Sequence, residues 1–112
     1  MKNKNQRLAC IDIGSNAIKY RQYRISTKKR KVFAELDTFK RISVRLGTDA
    51  FKFKKISSET EQKLLESIIK LKDKADKKDI KIKCGVATSA MRTVSNGHKI
   101  CKKITKKTDI EI

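Results

Sequence analysis

Leu8-Ala9-Cys10-Ile11-Asp12-Ile13-Gly14-Ser15-Asn16 is the stretch whose reading decides the fold of this chain. Leu8 to Ile13 is apolar on both alternating faces until Asp12, the pattern of a strand buried inside a sheet. The run stops at Gly14-Ser15-Asn16, and a second strand-like run begins almost at once, so the link must be a tight turn. Gly14 can take backbone angles closed to other residues and lets a ligand approach the main chain. Ser15 and Asn16 add N–H, hydroxyl and amide donors at the same point. Donors clustered in a turn form a small anion site, and phosphate is the commonest anion to use one. Asp12 would repel a bare phosphate, so its carboxylate suits such a site when a divalent cation bridges the two. The same residues also suit a buried strand that ends in an ordinary Asp-x-Gly hairpin. The choice between these readings depends on the rest of the chain.

The bulk properties bound the answer without giving it. At 112 residues the chain is one domain at most, with 38% hydrophobic residues, few aromatics and neither Trp nor Pro. Its 30 basic residues against 12 acidic ones give a net charge of +18, a field that attracts polyanions of any kind. These basic residues are spread through every segment rather than gathered in a stripe, which argues against specific nucleic-acid binding. Cys10, Cys84 and Cys101 sit at apolar-patterned positions without a short paired spacing, as reduced core thiols of a cytoplasmic protein would. His98 and Cys101 make only two of the ligands that zinc needs. Leu8 to Ile11, the longest uncharged apolar run near the N-terminus, is too short for a signal-peptide core or a membrane span.

Outward from the first stretch, residues 1–7 read as a flexible lead-in. Ala17 to Ile25 reads as a strand with a bulge near Arg21-Gln22, because its apolar parity switches between Tyr20 and Tyr23. Ser26 to Arg30 is a polar hairpin tip. Val32 to Leu46 keeps one parity, as one long strand or two collinear ones would, and Asp49 to Lys55 reads as a loop. Ser58-x-x-Glu61 has capping-box spacing and opens a helix whose buried face is Leu64, Leu65, Ile68, Ile69, Leu71 and Ala75. Glu59–Lys63, Glu66–Lys70 and Asp73–Lys77 are i,i+4 pairs in the favourable order. Ile80, Ile82, Cys84 and Val86 alternate as a further strand. Helical periodicity then places Met91 and Val94 on one face, Asn96 as a cap, and Ile100, Cys101 and Ile104 on a second helix. Asp109 to Ile112 begins another strand. A long helix between the third and fourth strands permits a crossover, hence an α/β fold with a mixed sheet: strand hairpins followed by helix-strand-helix-strand.

Three segments in order carry a resemblance: Ile11-Asp12-Ile13-Gly14-Ser15-Asn16, Val44-Arg45-Leu46-Gly47, and Ala87-Thr88-Ser89-Ala90-Met91-Arg92 with Asn96. Together they resemble the exopolyphosphatase/guanosine pentaphosphate phosphohydrolase (Ppx/GppA) family, over about Leu8 to Ile112. That family belongs to the actin, Hsp70 and sugar-kinase superfamily, so the resemblance implies a partial ribonuclease H-like lobe. It implies that Gly14, Ser15 and Asn16 donate to phosphate oxygens and that Asp12 orients a magnesium ion, directly or through water. Arg45 matches the loop after the third strand, where a guanidinium meets the polyanion, although a solvated strand-end Arg fits the same position. Thr88, Ser89 and Arg92 match a strand-to-helix turn whose N–H groups point at an anion, with Arg92 as a bidentate fork. A helix cap and a surface Arg are the bland alternative there. Ala17 departs from the pattern, since the family commonly carries a hydroxyl residue after the Asn.

The resemblance also implies what other parts must supply. In the family, the strand opening like Asp109-Ile110-Glu111-Ile112 continues into a Ser-Gly-Glu-Glu-type segment with the catalytic glutamate, and a second lobe closes the site. The expectation is therefore that residues 1–112 are a truncated first lobe with no catalytic residue of its own, inactive by itself. Glu35 and Glu111 read as strand-edge charges. The implied partners are polyphosphate or guanosine pentaphosphate, the remainder of the phosphatase, and a second copy of the chain through an uncovered sheet. Alternatives are a basic protein that holds polyanions by charge alone, and an inactive degenerate fragment.

Overall fold

The computed structural model describes residues 5–112. Strands β1 (Asn5–Ile13), β2 (Ala17–Lys28) and β3 (Lys31–Ser43) form an antiparallel meander. Helices α1 (Leu46–Phe53) and α2 (Ser58–Lys77) lead to β4 (Lys81–Ala87), followed by α3 (Ser89–Thr93) and α4 (Gly97–Thr108). The sheet order is β3-β2-β1-β4, with β4 parallel to β1, so the expected helix crossover and mixed sheet are present. Of the expected lead-in, residues 1–4 lie outside the described residues, while Asn5 to Arg7 are strand and pair with Ser26 to Arg24.

One face of the sheet forms the core. Ala9, Ile11 and Ile13 are fully buried on β1, and Tyr20 and Ile18 lie opposite Ile11 and Ile13 on β2. Leu64, Ile68, Leu71 and Ala75 recur at helical spacing along α2, and Ile100 and Ile104 do so on α4; all join the strand residues in one cluster. A fully buried Ile or Leu contributes about 1.5–3 kcal/mol, so this single face supplies most of the driving force. The alternate residues turn to the other face, where no helix packs among the described residues. Leu36 on β3 is 57% exposed there and Val86 on β4 is 54% exposed. Among the described residues, no helix is long and apolar enough to cross a membrane.

The bulge expected in β2 near Arg21-Gln22 lies on its partner instead: Gln22 pairs with Thr38 and Tyr23 with Leu36, so β3 carries Asp37 as the extra residue. Buried Gln22 explains it. Its carbonyl oxygen accepts from the Tyr20 hydroxyl at 2.8 Å, and its amide donates to the Asp37 carboxylate at 2.6 Å. The hairpin tip is tighter than expected. Only Lys29 and Arg30 form it, both left-handed (φ 49° and 66°), as a two-residue turn that follows strand twist requires.

Several local expectations are corrected. Asp49 to Lys55 is largely helix, because Leu46 is buried and Ala50 packs against the core, giving eight residues an apolar face too short to read as periodic. The α2 cap is Ser57, one residue earlier than Ser58. Its hydroxyl oxygen accepts from the Thr60 N–H at 3.2 Å, which leaves Glu61 free to pair with Lys103 on α4 at 3.1 Å. The ion pair seen along α2 is Lys72–Asp76, in the reverse order, and the three expected pairs do not form. Cys84 is exposed, and Gly85 takes the inward position, because β4 shifts register after Ile82. Asn96 precedes α4 but caps nothing with its side chain. Instead it accepts from the Ile56 N–H and donates to the Ile56 carbonyl, both at 2.9 Å. Asp109 to Ile112 forms no regular strand; it lies beside β4 through one bond, from the Gly85 N–H to the Glu111 carbonyl at 2.9 Å.

Two predictions follow from this packing. A Cβ on Gly97 would overlap the Met91 carbonyl, which is fixed backbone, so Gly97→Ala should cost about 1–3 kcal/mol or more in urea denaturation. Asp49 accepts from the Ser57 N–H at 2.8 Å and so joins α1 to the start of α2. Burial acts to raise its carboxyl pKa, but the Ser57 N–H and hydroxyl, Thr60 and Lys52 outweigh that and hold it below the ordinary 3.8. A depressed acid stabilises the fold above its unfolded pKa and loses that contribution as pH falls through the folded value. Asp49→Asn should therefore flatten the stability-versus-pH curve below about pH 4 relative to wild type, read by thermal melts across acid pH.

Candidate phosphate-binding site

The Gly14 turn is closed by its own backbone: the Gly14 N–H donates to the Ala17 carbonyl at 3.0 Å. That bond occupies one donor expected to face a ligand. Nor does Gly14 use a left-handed conformation, since no glycine of the described residues has positive φ. Its small size matters instead, because a Cβ would come within 3.3 Å of the Ala17 carbonyl oxygen. Ser15 is half-buried and Asn16 exposed, and among the described residues their N–H groups and side-chain atoms donate to no protein acceptor. These are the donors the turn leaves for an anion.

The second segment is bonded directly to this turn. The Val44 N–H donates to the Asn16 carbonyl at 3.2 Å, and the Gly47 N–H donates to the Ser15 carbonyl at 2.7 Å. Between them, Arg45 (φ −82°, ψ 69°) sits at the centre of an inverse γ-turn closed from Leu46 to Val44 at 2.9 Å. That turn buries Val44 and Leu46 on either side and leaves the Arg45 side chain exposed. Gly47 is the residue the sequence reading undervalued. A Cβ there would lie 3.2 Å from the Ser15 Cβ and 3.3 Å from its carbonyl oxygen, so glycine lets helix α1 seat this closely on the turn without displacing Ser15. Its place inside the quoted motif was the available signal.

The third segment arrives from the other side. β4 runs parallel to β1, so both strands end at the same edge, and the Thr88 N–H donates to the Ile13 carbonyl at 3.1 Å. The Thr88 hydroxyl approaches the same carbonyl at 3.5 Å, and Thr88 precedes α3 without capping it through its side chain. Ser89 is exposed at the first position of α3, which has only five residues. Arg92 is exposed and lines a different recess of about 400 Å³, with Val94, Gly97, His98 and Ile112. Thr88 thus meets the strand end before the Gly14 turn through a backbone contact, and Arg92 lines the α3–α4 recess.

Asp12 has the one buried side-chain oxygen or nitrogen without a hydrogen-bond partner among the described residues, its Oδ1. Its Oδ2 lies 3.9 Å from an Arg21 guanidinium nitrogen, and both side chains are about one-third exposed. Such a loose pair contributes roughly 0–1 kcal/mol and does not satisfy Oδ1. Arg21 is also held over the Phe39 ring at 5.5 Å. An unpartnered carboxylate oxygen beside a turn with free donors fits a magnesium ion, which binds through one or two carboxylates, substrate phosphates and retained waters.

The class these features define is a mixed α/β fold with its candidate ligand groups at the carboxyl ends of two parallel strands. The particular fold is that of the Ppx/GppA structures. The Aquifex aeolicus Ppx/GppA family member matches 96% of this chain with a TM-score of 0.81 at 19% identity, and the match covers 34% of that protein. An exopolyphosphatase from Cytophaga hutchinsonii matches 95% of the chain with a TM-score of 0.75 at 22% identity, over 33% of its own length. An exopolyphosphatase-like protein matches 96% with a TM-score of 0.77 at 20% identity. The chain therefore spans about one third of the length of these structures. No protein-family model matches the sequence, and no curated protein does.

Glycine-to-alanine exchange within a helix ordinarily stabilises by about 1 kcal/mol. Gly47→Ala should do the opposite, because Ser15 cannot retreat without lengthening the 2.7 Å bond it accepts. A urea midpoint below that of wild type, with faster amide exchange at position 47, is the expected result.

Proposed function

We propose that this chain is the phosphate-binding portion of a Ppx/GppA-type phosphatase that hydrolyses terminal phosphoanhydride bonds of polyphosphate or guanosine pentaphosphate. The observation that carries the reading is convergence. Two segments distant in sequence, Val44–Gly47 and Thr88, bond through their backbones to one turn and the strand end before it, and the remaining donors of that turn have no protein partner among the described residues. A purely structural hairpin needs no such buttressing from two sides.

In this reading Ser15 and Asn16 bind phosphate oxygens, and Arg45 and Ser89 extend the contact from the flanking segments. Thr88 positions the turn through Ile13, and Gly47 holds it through Ser15. Asp12 would hold magnesium, which supplies charge neutralisation between phosphate oxygens when bound. Arg92, which lines the α3–α4 recess, serves a phosphate further along the polyanion. Hydrolysis also needs a carboxylate to activate water. Glu35 is exposed in the β2–β3 hairpin, opposite Arg24, and Glu111 is exposed beside β4, so neither serves this turn. The base and the opposing wall of the site come, on this proposal, from the remainder of the phosphatase.

Calorimetric titration with tripolyphosphate and magnesium, and separately with duplex DNA, tests the reading at low and moderate salt. Asn16→Ala removes an exposed amide and no charge. It should weaken tripolyphosphate binding by about 1.5–3 kcal/mol, the scale of a hydrogen bond to a charged group, and leave DNA binding unchanged. DNA affinity should fall steeply with salt, because it rests on counterion release by interchangeable lysines. Asp12→Asn should abolish the magnesium dependence of tripolyphosphate binding. Equal salt slopes for the two ligands, with no effect of Asn16→Ala, would leave only a polyanion binder acting through its +18 charge.

A further inference from the structure

The register shift in β4 has a chemical consequence at Cys84. Ala9 pairs with Ile82, and without the shift Cys10 would face Lys83. The irregularity skips Lys83 and brings Cys84 opposite Cys10 on the parallel strand. Both side chains then lie on the sheet face that no helix covers, with Cys84 exposed and Cys10 half-buried. Neighbouring strands are about 4.7–4.9 Å apart, inside the roughly 4.4–6.8 Å between Cα atoms that a disulfide spans.

We propose that Cys10 and Cys84 form a cross-strand dithiol that a disulfide oxidant converts to a disulfide, stapling β1 to β4 beneath the two turns of the candidate site. The bond itself rests only on the β1–β4 register; its position beneath a phosphate site rests on the proposed function. Two exchanges with a small disulfide such as oxidised glutathione complete the step. Exposed Cys84 attacks as the thiolate and displaces one glutathione, leaving a mixed disulfide on its sulfur. Cys10 then attacks the Cys84 sulfur and displaces the second. Two protein thiols have lost two protons and two electrons, and one disulfide oxidant has become two thiols. Cys101 is half-buried on α4 and has no facing thiol, so it serves as an internal control.

The staple would restrain the strands that present Asp12–Asn16 and Thr88, because both turns begin within four residues of the sulfurs. A single bond there links the oxidation state of the surroundings to the spacing between the two turns.

The test is peptide mapping of the wild-type chain after incubation with oxidised glutathione and alkylation of the remaining thiols. Trypsin releases Cys10 within Leu8–Lys19 and Cys84 within Cys84–Arg92. The expected result is one joined species of these two peptides, loss of two of the three thiols, and alkylated Cys101. Cys84→Ser, at an exposed position, should abolish the joined species and leave Cys10 alkylated or carrying glutathione. Three intact thiols, a linkage through Cys101, or Cys84-to-Cys84 dimers without the joined pair would each overturn the proposal. The mapping needs no phosphate ligand, so its outcome is independent of the tripolyphosphate titration.

Discussion

The parallel pairing of β1 with β4 is the constraint on which the rest depends. A parallel partner for β1 requires a crossover, and α2 supplies it while adding Leu64 and Ile68 to the core that holds Ile11 and Ile13. The same pairing brings two strand ends to one edge, so the turns that follow Ile13 and Ala87 become neighbours. Ligand sites in open α/β sheets form outside the carboxyl ends of strands for this reason. An antiparallel β4 would have put Thr88 at the far end of the sheet.

The turn so placed is held by main-chain bonds rather than by charge. Gly47 and Val44 bond to its carbonyls from the β3–α1 joint, and Thr88 bonds to the preceding Ile13 carbonyl. Backbone bonds of this kind orient the turn without consuming the outward donors of Ser15 and Asn16. The +18 charge acts on another scale. It raises the local concentration of any polyanion, but its lysines are dispersed and screened within about 10 Å at 0.1 M salt. On the function proposed, selectivity for a phosphate chain comes from the buttressed turn and from Asp12.

A four-stranded sheet covered on one face leaves consequences on the other. Leu36, Phe39 and Val86 remain exposed there, along with the outer edge of β3. The hairpin of β2 and β3 extends well beyond the helices, which accounts for a molecule 55 Å long but only 23 Å and 20 Å across. Exposed apolar residues beside an unpaired strand edge favour self-association, and the high like charge opposes it.

Sequence alone determined the elements that rest on local chemistry. A run apolar on both faces marked β1, a parity switch marked the level of the bulge though not the strand that carries it, and helical spacing marked α2 and the Met91–Val94 face. The ordered motifs were legible because glycine, hydroxyl and amide residues cluster at strand ends. Tertiary structure decided what depends on distant partners. Helix α1 exists because Leu46 reaches the core, and Asn96 became a clamp on Ile56 because residues 40 positions apart meet. Cys84 turned outward because a register shift in β4, invisible in its own alternation, is set by pairing with β1. Gly14 kept an ordinary backbone and was needed for its size, since the limit there is the facing Ala17 carbonyl. Local patterns fix periodicity and caps, but register, convergence and the fate of each polar group are set only when separate segments pack together.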